Sequence, residues 1–214
     1  MALKDGDVVY IEYVGHLETG EIFDLTDEAL AKKEGIFNPK GRYGPVPIVI
    51  GEGFVIKGLD EALKEMSVGE EREIDIPPEK AFGKRDPKLV KLVTISWLKQ
   101  RDIPPTPGLA IDFGNLKGRI QSVSGGRARI DFNNPLAGKT LHYKVKVVKK
   151  VERNENKIAA IAEFFTGEKP KVSIKKGEAE VETRAPPELR NAISKIVLKT
   201  TNVKKLKFVE TFQK

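Results

Sequence analysis

Residues 7–14, Asp-Val-Val-Tyr-Ile-Glu-Tyr-Val, are β-branched or aromatic at most positions and predict a strand. Glu18-Thr-Gly-Glu21 is a turn, and Ile22-Phe23 resumes an extended run. Asp27 to Glu34 reads as a short helix capped by Thr26 or Asp27 and stopped by Gly35. Asn38 to Pro47 is crowded with turn residues, Ile48 to Ile50 is a short strand, and Gly51-Glu-Gly53 turns it. Leu59, Leu63 and Met66 recur at helical spacing, which predicts an amphipathic helix over 58–66. Glu71 to Ile76 alternates as a strand and ends at Pro77-Pro78.

The pattern changes after Gly83. Lys84 to Pro87 is a polar connection, and Thr94 to Arg101 predicts one or two helical turns carrying Ile95, Trp97 and Leu98. Past Ile103-Pro-Pro-Thr-Pro-Gly108, three short strands are expected at 109–113, 118–123 and 127–132, with Gly125-Gly126 as a hairpin turn. Leu141 to Val151 alternates strongly and predicts a long strand. Residues 152–156 form a hydrophilic joint. Beyond it come a helix with Ile158, Ile161, Ala162 and Phe165 on one face, and strands at 171–174 and 179–183. A second helix opens at Pro186-Pro187 with Leu189, Ile193, Ile196 and Val197, and the last strand spans 203–212. These roughly 60 residues bury little core alone, so they are expected to lean on a second copy or on the rest of the chain.

Composition narrows the chemistry. The 214 residues contain no cysteine, which excludes a disulfide scaffold, thiolate metal sites and a Cys nucleophile. Two histidines, His16 and His142, lack ligand-spaced neighbours and give no basis for a metal site or a Ser-His-Asp hydrolase. Gly51-Glu-Gly53 is not followed by Gly-Lys-Ser/Thr and is not a phosphate loop. Without a membrane-length apolar run or a signal-like start, the expected address is the cytoplasm. High charge without cysteine leans toward a thermophilic source. The net charge of +7 is uneven: residues 1–152 carry +1 and residues 153–214 carry +6. A basic tail can attract nucleic acid, but a solvated Lys-rich surface is the commoner meaning.

Several stretches together resemble the signatures of FKBP-type peptidyl-prolyl isomerases. They are Tyr13-Val-Gly-His-Leu-Glu-Thr-Gly-Glu-Ile-Phe23-Asp24, Val49-Ile-Gly-Glu-Gly-Phe-Val55-Ile56-Lys-Gly-Leu59, and Ile76-Pro-Pro-Glu-Lys-Ala-Phe82-Gly83. Asn133 to Val145 is similar to the returning strand of the SlyD subgroup, in which an insert-in-flap domain interrupts the isomerase. Residues 153–214 resemble the extension of archaeal long-type members. The resemblance implies an α+β, mainly β protein: an FKBP-like antiparallel half-barrel with a short helix over 1–84 plus 140–152, a small β-rich insert over 85–139, and a small α+β domain over 153–214. It implies prolyl isomerisation joined to chaperone action on unfolded or nascent polypeptides, with no cofactor. The substrate pocket would be lined by Tyr13, Phe23, Asp24, Val55, Ile56, Leu59, Phe82 and Tyr143. Leu59 stands where a Trp is frequent and Phe82 where a Tyr is frequent. The SlyD metal-binding tail is not matched by this chain's ending.

Those residue types suit the reaction. Rotation about X–Pro faces a barrier of about 18–20 kcal/mol set by amide resonance, and no bond breaks. Apolar walls withhold water from the planar, more dipolar amide and so favour the twisted state. Ile56 would donate its backbone N–H to a substrate carbonyl, with Val55 beside it, and Asp24 and Tyr13 would orient the amide. Taken singly, each aromatic here is more simply a core residue. In the insert, Val93, Ile95, Trp97, Leu98, Ile103 and Leu109 are candidates for holding unfolded chains, and they equally suit the insert's own core. Further expectations are a homodimer through 153–214 and, as the competing function, a binding module whose basic tail docks on RNA or ribosome.

Overall fold

The computed structural model describes residues 2–114 and 116–211. Contacts divide the chain into two compact units, Met1–Lys80 with Thr140–Lys214, and Ala81–Lys139.

In the first unit, β1 (Val8–Leu17) is the central strand. Along one side it pairs antiparallel with β9 (Leu141–Val151), and β9 pairs with β4 (Glu71–Ile76). Along its other side β1 carries two short strands in tandem. β3 (Val46–Val49) pairs with its first half and β2 (Ile22–Leu25) with its second. Pro47 is tolerated in β3 because that strand pairs on one side only. Between β2 and β3 lies α1 (Glu28–Lys33), whose N-cap is Asp27: its carboxylate accepts the Leu30 N–H. Thr26, the alternative cap, has another use, described below.

Helix α2 (Lys57–Lys64) buries Leu59 and Leu63 against β4, and Met66 is buried just beyond it. Gly58 permits that approach, since a Cβ there would lie 2.4 Å from Ile76 Cγ2.

The tail belongs to this same unit. It comprises α4 (Asn154–Thr166), β10 (Val172–Lys175), β11 (Glu178–Glu182), α5 (Pro187–Thr200) and β12 (Lys205–Val209). The expected strand end at Phe212 lies outside the described residues. β10 pairs antiparallel with β11, while β12 runs parallel to β11 and is reached through α5 as crossover. The expected hydrophilic joint is shorter than read, because α4 begins at Asn154. The one-sided apolar face expected for α4 is also corrected. Five consecutive residues, Ile158 to Ala162, are buried, so the helix is covered around its circumference. Its partners are both intrinsic and foreign to the tail: Val8, Tyr10, Val49 and Val151 share one core with Ile158, Ile161, Ile193 and Val197. The tail therefore leans on the rest of its own chain.

The second unit is a four-stranded antiparallel sheet in the order β5 (Val90–Thr94), β8 (Arg127–Asp131), β7 (Lys117–Ser124), β6 (Ala110–Asp112). β5 was not anticipated; it follows a 3-10 turn at Pro87–Leu89 and runs directly into α3 (Ile95–Lys99), capped by Thr94. Its core is Leu98, Ile111, Ile120, Ala128 and Ile130. No helix among the described residues is long and apolar enough to cross a membrane.

Candidate active site

One row of residues crosses three strands: Tyr143 on β9, Gly15 on β1 and Asp24 on β2. Tyr13 lies two residues before Gly15 and so shares its face of β1. Strand alternation alone would send Phe23 and Asp24 to opposite faces. They escape it because the β1–β2 register slips between Gly15 and His16, leaving Phe23 as the unpaired extra residue of a bulge. Both side chains then reach the same group. The Phe23 ring meets Tyr143 edge-on at 5.6 Å, and the Tyr13 hydroxyl donates to Asp24 Oδ2 at 3.0 Å. Tyr13 and Tyr143 are 5.8 Å apart, the diagonal neighbours of adjacent strands.

Gly15 makes room for this arrangement. A Cβ there would lie 2.6 Å from Phe23 Cζ, so the ring occupies the space a side chain would fill. Thr26 fastens the other end of β2. Its hydroxyl accepts the Tyr13 N–H at 2.9 Å and donates to the Tyr13 carbonyl at 3.2 Å. Sequence reasoning passed over Gly15 although it sits inside the first motif, and gave Thr26 only a capping role. The signal for Gly15 was a glycine in the middle of an otherwise β-branched and aromatic strand.

The electrostatics are those of hydrogen-bond donors. Burial, then the nearby Asp24 charge, pushes the Tyr143 phenol up to about 12. Burial and the Asp24 carboxylate likewise raise Tyr13 well above the ordinary phenol value. Both hydroxyls therefore keep their protons at any physiological pH. Asp24 is exposed, and its carboxylate accepts the Tyr13 hydroxyl.

The remaining candidates come from other segments. Val55 and Ile56 are half-buried just before α2, and Ile56 is its N-cap with extended backbone. An N-cap N–H has no carbonyl of its own helix to bond. Leu59 is buried on α2. Phe82 belongs to the second unit and is 38% exposed. Of the proposed client-binding residues, Leu98 is corrected: it is 0% exposed and central to the second unit's core. Val93, Trp97, Ile103 and Leu109 pack against that core while half-exposed, and Ile95 is half-buried on α3. Ile103 and Leu109 also line an open groove of about 360 Å³. Leu92, 57% exposed on β5, went unnoticed in the sequence.

His16 and His142 pair across β1 and β9, with rings stacked at 5.5 Å, and His142 Nδ1 lies 2.6 Å from Asp75 on β4. Among the described residues, no group of three or more His, Cys, Asp or Glu is arranged to hold a metal ion.

The model of the family "FKBP-type peptidyl-prolyl cis-trans isomerase" matches residues 1–148. The chain belongs to this family. It is 34% identical over 145 residues to a short-type peptidyl-prolyl cis-trans isomerase of Methanocaldococcus jannaschii, which covers 68% of this chain and 92% of the relative. It is 32% identical over 165 residues to the FKBP-type isomerase SlyD of Treponema pallidum, covering 75% and 85%. An FKBP-type 16 kDa isomerase of Escherichia coli is 27% identical over 108 residues, covering 49% and 72%. This FKBP-type chain is thus a peptidyl-prolyl cis-trans isomerase, and what its residues must do is ease rotation of an X–Pro bond.

Proposed function

We propose that this isomerase acts on X–Pro bonds of unfolded or partly folded proteins, turning them against Tyr13, Phe23, Asp24, Val55, Ile56, Leu59 and Tyr143. The observation that carries this reading is the Phe23–Tyr143–Tyr13–Asp24 group, apolar rings beside one polar pair. The rings bury the proline and keep water from the amide, which stabilises the twisted amide relative to the planar one. The Ile56 N–H receives a substrate carbonyl. The Tyr13–Asp24 pair, its proton held by the raised phenol, orients the amide without proton transfer. Each tenfold in rate needs only about 1.4 kcal/mol of differential stabilisation, so a few such contacts suffice. Measured by exchange on a proline tetrapeptide, Phe23→Ala is expected to lower kcat/KM by about tenfold or more. An unchanged rate rejects the site.

The insert over 85–139 fits an insert-in-flap domain of the SlyD kind that holds unfolded chains, with Ile103 and Leu109 at its open groove and Leu92 exposed on β5. The long archaeal type, with its extension over 153–214, agrees with the chain continuing beyond the family match. Replacing 86–139 by a short linker is expected to leave the tetrapeptide rate unchanged and to slow catalysed refolding of a proline-limited protein. Equal refolding rates reject the client-binding role.

A further inference from the structure

The segment from Gly51 to Ile56 leads into the proposed site and has little stiffness of its own. Gly51 and Gly53 both hold positive φ, +81° and +71°, and glycine surrenders more backbone entropy on ordering than any other residue. Asp60 of α2 holds its start by accepting the Gly51 N–H at 2.9 Å, and the rest of its order comes from contacts made by the residues between and after the glycines. Two of those contacts are to the tail. Glu52, between the glycines, is paired with Lys199 of α5 at 2.7 Å. Phe54, directly before Val55 and Ile56, packs its ring on Phe164 at 4.3 Å and on Phe165 at 5.7 Å, both in the last turn of α4. Phe164 and Phe165 themselves meet edge-on at 5.3 Å. A third contact holds the α4 end in place: Arg42, from the loop before β3, donates to the Phe164 carbonyl at 3.2 Å. Gly167 is the left-handed C-cap of α4, and the Arg42 guanidinium fills the space where a Cβ would stand.

We infer that the tail is a positioning element of the isomerase: Phe164 and Lys199, acting through Phe54 and Glu52, set where Ile56 presents its N–H. The inference rests on the proposed role of Ile56. Neither residue touches substrate. Their contribution is geometric, and misplacement of a site group by about 1 Å can cost up to about a hundredfold in rate.

The test uses the full-length chain. Phe164→Ala removes the closest ring on Phe54. Lys199→Met removes a surface cation, so it leaves the fold standing even should the first variant unfold. Tetrapeptide exchange, thermal midpoints and the Ile56 amide signal in proton–nitrogen correlation spectra are recorded for each. The expected result is a kcat lower by about tenfold for Phe164→Ala and severalfold for Lys199→Met, with KM little changed and the Ile56 amide signal displaced. Phe164→Tyr, which keeps the ring, restores the rate. Folded variants with the wild-type rate and an unmoved Ile56 signal overturn the inference. Ile56→Pro, read against Ile56→Ala, separates the two ideas: both lack the isoleucine side chain, and because Ile56 already has φ −60° the pair differ mainly in the N–H. If Ile56→Pro is slower than Ile56→Ala while both tail variants are fast, the positioning role alone fails. If Ile56→Pro is as fast as Ile56→Ala, the reading of Ile56 fails and the inference with it.

Discussion

Phe23 faces the site because one extra residue in β2 breaks the alternation of its strand, and its ring stays there because Gly15 beneath it has no side chain. The pair is a lock: bulge and glycine are each useless without the other. Gly15→Ala is therefore expected to push the Phe23 ring off its seat and lower kcat/KM by about tenfold. The change in thermal midpoint should stay small, because alanine is tolerated by the extended backbone of β1. An isomerisation rate equal to wild type would show that the ring needs no such seat. A second residue-scale consequence concerns the phenols. Both titrate far above neutrality, so no proton on Tyr13 or Tyr143 is lost between pH 6 and 9.

At the scale of elements, α4 decides how the tail relates to the main sheet. A helix with an apolar face on one side packs against one neighbour, whereas α4 packs against β1 and β3 on one hand and α5 and β10 on the other, with Ile158 through Ala162 all buried. Small alanines at 159, 160 and 162 allow neighbours to approach closely from several directions. Tyr10 of β1 adds a polar tie, its hydroxyl donating to Glu163 at 2.6 Å. Removing most of one buried branched side chain costs about 2–5 kcal/mol. Ile158→Ala is expected to lose that much in urea unfolding, and to weaken amide exchange protection in β1 and α4 together. Loss of protection in α4 alone would mean that the tail stabilises itself. The apolar residues that suggested a homodimer are largely spent in this shared core, and several tail cations are paired within the chain, Arg190 with Glu210 and Lys205 and Lys207 with Glu178.

For the whole molecule, the pH dependence of stability has a definite sign. Asp7, directly before β1, ties it to β9 through Lys150 at 2.8 Å, while accepting the Lys4 N–H at 2.9 Å. Partial burial raises its carboxyl, but the Lys150 hydrogen bond and charge together with the Lys4 N–H outweigh it and hold the group below 3.8. A carboxyl lowered in the folded state contributes stability above its unfolded value and loses it as pH falls through the folded one. Asp7→Asn should cost about 1 kcal/mol at pH 7, and that difference should shrink progressively as pH falls below 3.8. Urea unfolding of both proteins at pH 7 and at steps below 3.8 checks it; a difference that does not shrink refutes the ion-pair origin.

Most elements were readable in the sequence because their periods are local. Strands β1, β4 and β9 alternate or run apolar, α2 repeats at helical spacing, and turns are marked by Gly and Pro. The ordered motifs also named Tyr13, Phe23, Asp24 and Tyr143, which the structure gathers into one group. Strand β5 escaped because its residues, three of the five exposed, carry no clear alternation. What only the tertiary structure decided depends on residues far apart in the chain. Register slippage that turns Phe23, the space over Gly15, the stacking of His16 on His142 and the anchoring of Phe54 by Phe164 are all relations between strands or helices, which no local period encodes. The tail's fate is of the same kind. Its apolar residues announced that something must cover them, and only the packing of α4 on β1 and β3 showed that the cover is the chain's own sheet.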